Sequence, residues 1–153
     1  MRPDRRTPGK SRRAAGGQTI VELALTMPLL LLLLFGAGDL ARAFYATVTL
    51  ANAAGVGAMF GSRSIDAASD VTGITQAAQN DAQNLLGMTV TATKYCQCPD
   101  GSSILCSETS CAAGARSRLY SSVTTQYLFR TLASYPGIPS QLLLTKRVTM
   151  RAR

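Results

Sequence analysis

An α+β fold is predicted for this chain, built from a long N-terminal helix, a second amphipathic helix and a small antiparallel sheet of about three strands. Three observations predict it. An apolar run extends from Ile20 to Gly38, and the alanine-rich sequence after it keeps helical spacing. Beyond Met88, three segments alternate apolar and polar residues in the manner of half-buried strands.

Only Glu22, Thr26 and Pro28 interrupt the apolar run. At about 1.5 Å per residue, a helix over this run measures about 28 Å, the thickness of a bilayer's hydrocarbon core. Leu29 to Phe35 is apolar on every side, and a chain of 153 residues has too small a core to enclose such a helix. Residues 18–39 are therefore assigned as a transmembrane helix. Residues 1–17 hold six basic groups and one acidic group, with little to bury. They read as a disordered basic leader. Basic flanks stay in the cytoplasm, which puts the N-terminus inside and residues 40–153 outside. Asp39 and Arg42, three apart on the helix, are read as an exposed pair worth less than about 1 kcal/mol, marking the outer membrane boundary.

Past that boundary, Leu40, Ala43, Phe44, Val48, Ala51 and Ala54 sustain the helix to about Phe60, with Gly61-Ser62 as the stop. A second helix is expected from Asp66, as its cap, to Leu86. Val71, Ile74, Ala78, Ala82 and Leu85 would line one face. The strand segments are 88–95, 120–132 and 141–151. Val123, Tyr127 and Phe129 share a side of the second. Leu142, Leu144, Val148 and Met150 share a side of the third. A turn at Tyr135-Pro136-Gly137-Ile138-Pro139 joins these two. A sheet with one apolar face needs a cover, and the outer half of the long helix supplies it.

The net charge of +8 is concentrated in the leader, which carries +5 of it. That is a terminal tag beside an apolar run, unlike the basic stripe of a nucleic-acid-binding domain, so no nucleic-acid partner is expected. The chain has no histidine, which removes the commonest general base and every imidazole metal site. No phosphate loop or paired-carboxylate arrangement stands out. No enzymatic activity, cofactor or metal is expected.

Cys96, Cys98, Cys106 and Cys111 cluster in CQCPDGSSILCSETSC. Outside the cytoplasm their default is two disulfides, closing a loop over 96–111. Adjacent strand positions weakly favour a nested pairing, Cys96 with Cys111 and Cys98 with Cys106. The rival is one zinc ion on four thiolates, but the C-x-C spacing fits the usual paired C-x-x-C knuckles poorly.

The most informative stretch is Gly17-Gln18-Thr19-Ile20-Val21-Glu22. A carboxylate near the start of a membrane span costs about 2–3 kcal/mol, which suggests a functional role. The helix dipole offsets part of this. Cleavage after Gly17 would add a new amino group at Gln18, available to a neighbouring subunit's glutamate. Snorkelling or capping in the headgroup layer is the alternative for Glu22. Pro28 removes one backbone hydrogen bond and is expected to kink or loosen the span. Ala41-Arg42-Ala43 is a competing signal-peptidase site that would release a domain beginning at Phe44.

The run from Gly16 to Arg63 resembles the start of the TadE/TadG-like family, pseudopilins of tight-adherence (Flp, type IVc) pilus systems. The pattern is carried by Gly17, Gln18, Val21, Glu22, Pro28, Leu29 to Leu31, Asp39, Phe44 and Tyr45. Beyond residue 63 the resemblance is loose, and the four cysteines are not a general feature of the family. The resemblance implies a pilin-like layout and cleavage by a prepilin peptidase between Gly17 and Gln18, with Glu22 guiding assembly. It also implies other pilin or pseudopilin subunits as partners, and inner-membrane lipid around the helix. A minor subunit or assembly factor of a bacterial pilus follows, anchored once in the inner membrane with its C-terminal domain periplasmic. It could remain at the base of the fibre or enter it. The alternative is a membrane-anchored periplasmic adhesive or binding module that is never processed.

Overall fold

The computed structural model describes residues 15–107, 111, 114–135 and 137–153, with the side chains of residues 15 and 16 left aside. Most of the leader and Pro136 of the expected turn fall outside these residues. The elements in chain order are α1 (Ala15–Gly61), α2 (Ile65–Ser69), α3 (Val71–Asp81), β1 (Thr89–Gln97), β2 (Ser103–Ile104), β3 (Arg118–Arg130) and β4 (Gln141–Arg151). The architecture is α+β, as the sequence predicts. Contacts divide the chain into two units, the first ending at Gly38 and the second running from Asp39 to Arg153.

In the first unit α1 carries its apolar side chains in the open. Every residue from Gly17 to Phe35 is exposed. Among them are seven consecutive large apolar residues, Leu29 to Phe35. A patch of this kind needs a non-aqueous cover. Its length and composition fit a single-pass membrane anchor. Pro28 lies inside α1 without ending it. One turn earlier, the Thr26 hydroxyl donates to the carbonyl oxygens of Glu22 (3.1 Å) and Leu23 (3.2 Å).

The second unit is an antiparallel sheet, in the order β2-β1-β3-β4, covered on one face by helices. From Asp39 onward α1 turns a stripe of small residues inward: Ala46, Ala53, Ala54 and Ala58, with Leu50, are buried. They pack in two clusters. Leu50 and Ala53 meet Ala78, Ala82, Leu85 and Met88, with Tyr127 and Leu144 alongside. Ala58 meets Ile74 and Val123, with Val148 and Met150 alongside. Small side chains let the backbones approach. A Cβ at Gly57 would lie 3.2 Å from Val123 Cγ1 and 3.3 Å from Ala78 Cβ. The buried Thr125 hydroxyl donates to the Leu50 carbonyl at 2.9 Å, tying β3 to α1.

The second helix departs from expectation. Asp70, at φ −84° and ψ 78°, interrupts it. Ser64 accepts the Ala67 N–H and caps α2, whereas Asp70 accepts the Gly73 N–H and caps α3. Asp66, expected as the cap, lies in the first turn of α2. Two short side-chain acceptors within seven residues outcompete one continuous helix, because each satisfies a donor that a helix start leaves open. Ile74, Ala78, Ala82 and Leu85 are buried as predicted, while Val71 is exposed. The chain leaves the helix at Asp81, and a series of turns delivers Leu85 and Met88 to the core.

The sheet has one strand more than expected. β2 is a two-residue edge strand within the cysteine loop, paired with the end of β1. The strands β3 and β4 register Val123 against Val148 and Tyr127 against Leu144, placing the predicted apolar faces together. Between them Ile138 N–H donates to the Tyr135 carbonyl at 3.2 Å, and Gly137 takes the φ of +79° that this turn requires. Leu142 lies on the predicted side, opposite Phe129, but is half-exposed.

Candidate functional site

Gly17, Gln18 and Glu22 lie within two turns of α1, and all three are exposed. Among the described residues the Glu22 carboxylate has no partner, although its backbone carbonyl accepts from Thr26. An ionisable group on an apolar membrane helix is costly unless something satisfies it.

At the start of the second unit the structure corrects the reading of Asp39. Expected as half of an exposed pair, it is only 5% exposed and is the hub of a polar cluster. Both its carboxylate oxygens accept the Leu132 N–H, at 2.9 and 3.1 Å. The Tyr135 hydroxyl donates to Oδ2 at 3.1 Å, and Arg42 Nη1 donates to Oδ1 at 2.8 Å. The carboxylate is covered by its own donors rather than deeply buried. Arg42 is half-exposed, and its guanidinium also sits 5.3 Å from the centroid of Phe129. Asp39 thus clasps the end of β3 and the turn after it to the helix. Burial, then the hydrogen bond to Asp39 and the nearby negative charge, push the Tyr135 hydroxyl above its ordinary pKa. Sequence reasoning missed Leu132 and Tyr135 because nothing local marks them. They lie 93 and 96 residues away from Asp39.

The four cysteines form two disulfides, as expected, but the pairing differs from the favoured nest. Cys96 bonds Cys106 and Cys98 bonds Cys111, with Cα separations of 5.1 and 5.8 Å. The register explains this. The hairpin pairs Cys96 with Ile104, and Cys98 N–H donates to the Ser102 carbonyl. Cys106, two residues past Ile104, is therefore delivered to the Cys96 end, away from Cys98. Cys98 is left for the returning Cys111. At the tip Gly101 adopts φ +90°, and Asp100 accepts both the hydroxyl and the N–H of Ser102, which hold its carboxyl below the ordinary value. Residues 108–110, 112 and 113 of this segment lie outside the described residues.

The structure thus gathers Asp39 and Arg42 into one cluster and the cysteines into another. Gly17, Gln18, Glu22 and Pro28 remain strung along the helix. The TadE-like protein family model matches residues 17–59, which contain Gln18, Glu22, Pro28, Asp39 and Arg42. No curated protein and no solved structure matches the chain. The matched segment is α1 alone, without the sheet or the disulfide loop. From Gly17 to Met59 this chain carries the signature of the TadE-like proteins, which points to a role related to the tight-adherence (Tad) pilus.

Proposed function

We propose that the chain is a pseudopilin-like minor subunit or assembly factor of a tight-adherence pilus, acting by helix packing and not by catalysis. The observation that carries this is the Glu22 carboxylate, without a partner among the described residues and five places past Gly17 on an exposed apolar helix within the TadE-like segment. In this reading the basic leader holds the N-terminus in the cytoplasm until a prepilin peptidase hydrolyses the Gly17–Gln18 peptide bond. The new amino group at Gln18 and the Glu22 carboxylate then have opposite charges in a low-dielectric layer. There an intersubunit pair is far stronger than in water. Lateral packing of the apolar helix against other pilin-like subunits follows, with the second unit held in the periplasm.

The mature N-terminus, measured by mass spectrometry with and without the prepilin peptidase, tests this. A peptidase-dependent start at Gln18 supports the proposal. An intact Met1 start in cells that possess the enzyme leaves a tethered periplasmic module instead, and a start at Phe44 leaves a secreted domain. Glu22→Ala should insert into the membrane normally and abolish or strongly reduce piliation.

A further inference from the structure

Three contacts show that β3 runs antiparallel to the part of α1 that belongs to the second unit. Asp39 accepts the Leu132 N–H, the Leu50 carbonyl accepts from Thr125, and a Cβ at Gly61 would meet the Ser121 side chain. The end of β3 is therefore level with Asp39, the residue that directly follows the apolar run. The far end of the unit, level with Gly61, carries Arg118, Arg151 and Arg153. At the Asp39 end none of residues 131–145 is charged. Leu132, Ile138, Leu142 and Leu143 are each at least half exposed there. Neighbours along a strand point to opposite faces of a sheet, so Leu142 and Leu143 put apolar surface on both. Leu142 lies opposite Phe129 on the helix-covered side, and Leu143 lies opposite the exposed Leu128 on the other. Apolar side chains thus ring this end of the sheet instead of lining one face.

We propose that this ring docks into the interfacial layer of the bilayer, so that the second unit binds lipid itself as well as being tethered to it. An exposed apolar patch of this kind marks a membrane or protein contact. Two observations favour lipid. A protein partner docking side-on covers one face of a sheet, whereas a lipid layer receives a ring from every side. The ring also lies level with Asp39, where the chain leaves the apolar run, and the charged residues of the far end are kept away from it. Arg130 adjoins the ring and has no ion pair among the described residues. Its long side chain suits it to carry its charge out to the phosphate layer while its stem lies along apolar surface. The proposal rests on the membrane-anchor reading of α1 and not on the pilus reading.

The chain contains no tryptophan, so a single introduced indole reports its own depth. Single-tryptophan variants of the full chain are reconstituted in mixed phosphatidylglycerol and phosphatidylcholine vesicles, with and without bromine on the acyl chains. Ile138→Trp should be quenched by brominated lipid at least about threefold more than Ser103→Trp at the far end, because an interfacial contact reaches about 5–10 Å into the headgroup and acyl boundary. Leu33→Trp, inside the apolar run, reports on the anchor alone and should be strongly quenched. Adding Leu142→Gln with Leu143→Gln to Ile138→Trp should remove about half of its quenching or more, since two apolar contacts are lost. Circular dichroism verifies folding of each variant. Strong quenching of Leu33→Trp, with Ile138→Trp quenched no more than Ser103→Trp, overturns this proposal and leaves the anchor standing. An unquenched Leu33→Trp overturns both. Quenching of Ile138→Trp that the two glutamines leave unchanged also overturns the proposal. So does shielding of Ile138→Trp that grows with the protein-to-lipid ratio and not with bromination, which would assign the ring to a protein contact.

Discussion

Asp39 receives the backbone N–H of Leu132 in both of its carboxylate oxygens, although 93 residues separate the two in the chain. Asp39 directly follows the apolar run, so this bond secures the second unit at the point where the anchor ends. Replacing it should therefore loosen the turn between β3 and β4 before anything else. Asp39→Asn keeps one acceptor and should lower the melting temperature less than Asp39→Ala. Hydrogen exchange at Leu132 should accelerate in both. Unchanged exchange at Leu132 in the alanine variant would contradict this.

The Tyr135 hydroxyl gives the cluster an alkaline limit. Its folded-state pKa is raised above the ordinary value of 10.0. A raised pKa means that its contribution to stability is complete below the unfolded pKa and is lost as pH rises through the folded one. The difference in melting temperature between the native chain and Tyr135→Phe should be constant up to about pH 9, then shrink toward zero above pH 10. A difference that grows with pH would reverse the assignment.

The disulfide pairing is open to a direct chemical test. Cys96→Ser with Cys106→Ser should leave Cys98 and Cys111 bonded, with no free thiol, at a cost of about 3 kcal/mol for the lost cross-link. Cys96→Ser with Cys111→Ser orphans one cysteine from each bond and should release two reactive thiols. If the second variant were thiol-free, the nested pairing would be restored.

Close packing where α1 ends makes a further prediction about stability. A Cβ at Gly61 would meet the Ser121 side chain and lie 3.0 Å from Ile74 Cδ1. Gly61→Ala should destabilise by about 1–3 kcal/mol through overpacking. Ser121 is fully buried and its hydroxyl has no hydrogen-bond partner among the described residues. Removing an unsatisfied polar group is neutral or favourable, so Ser121→Ala should not destabilise, and it should relieve part of the Gly61→Ala penalty. Additive effects in the double variant would show that the two residues do not share the space.

Much of this architecture is legible along the chain because its signals are local. Ile20 to Gly38 is apolar over a bilayer's thickness, and the inward placement of Ile74 and Ala78 follows from helical spacing alone. Strand periodicity likewise assigns Leu144, Val148 and Met150 to one side. Glu22 and Gly17 stand out because their spacing and context are contiguous.

What the sequence left open needed three-dimensional register. Cys98 bonds Cys111 because the pairing of β1 with β2 carries Cys106 to the other end of the hairpin. Asp39 finds Leu132 and Tyr135 because the packing of β3 on α1 brings the end of that strand to the helix. The sequence by itself determined the apolar helix fit for an anchor, the basic N-terminal stretch, the carboxylate inside that helix and the class of fold, since burial periodicity and charge are properties of neighbouring residues. The tertiary structure alone decided which polar groups are paired. Those outcomes depend on which distant backbone atoms come within hydrogen-bonding distance.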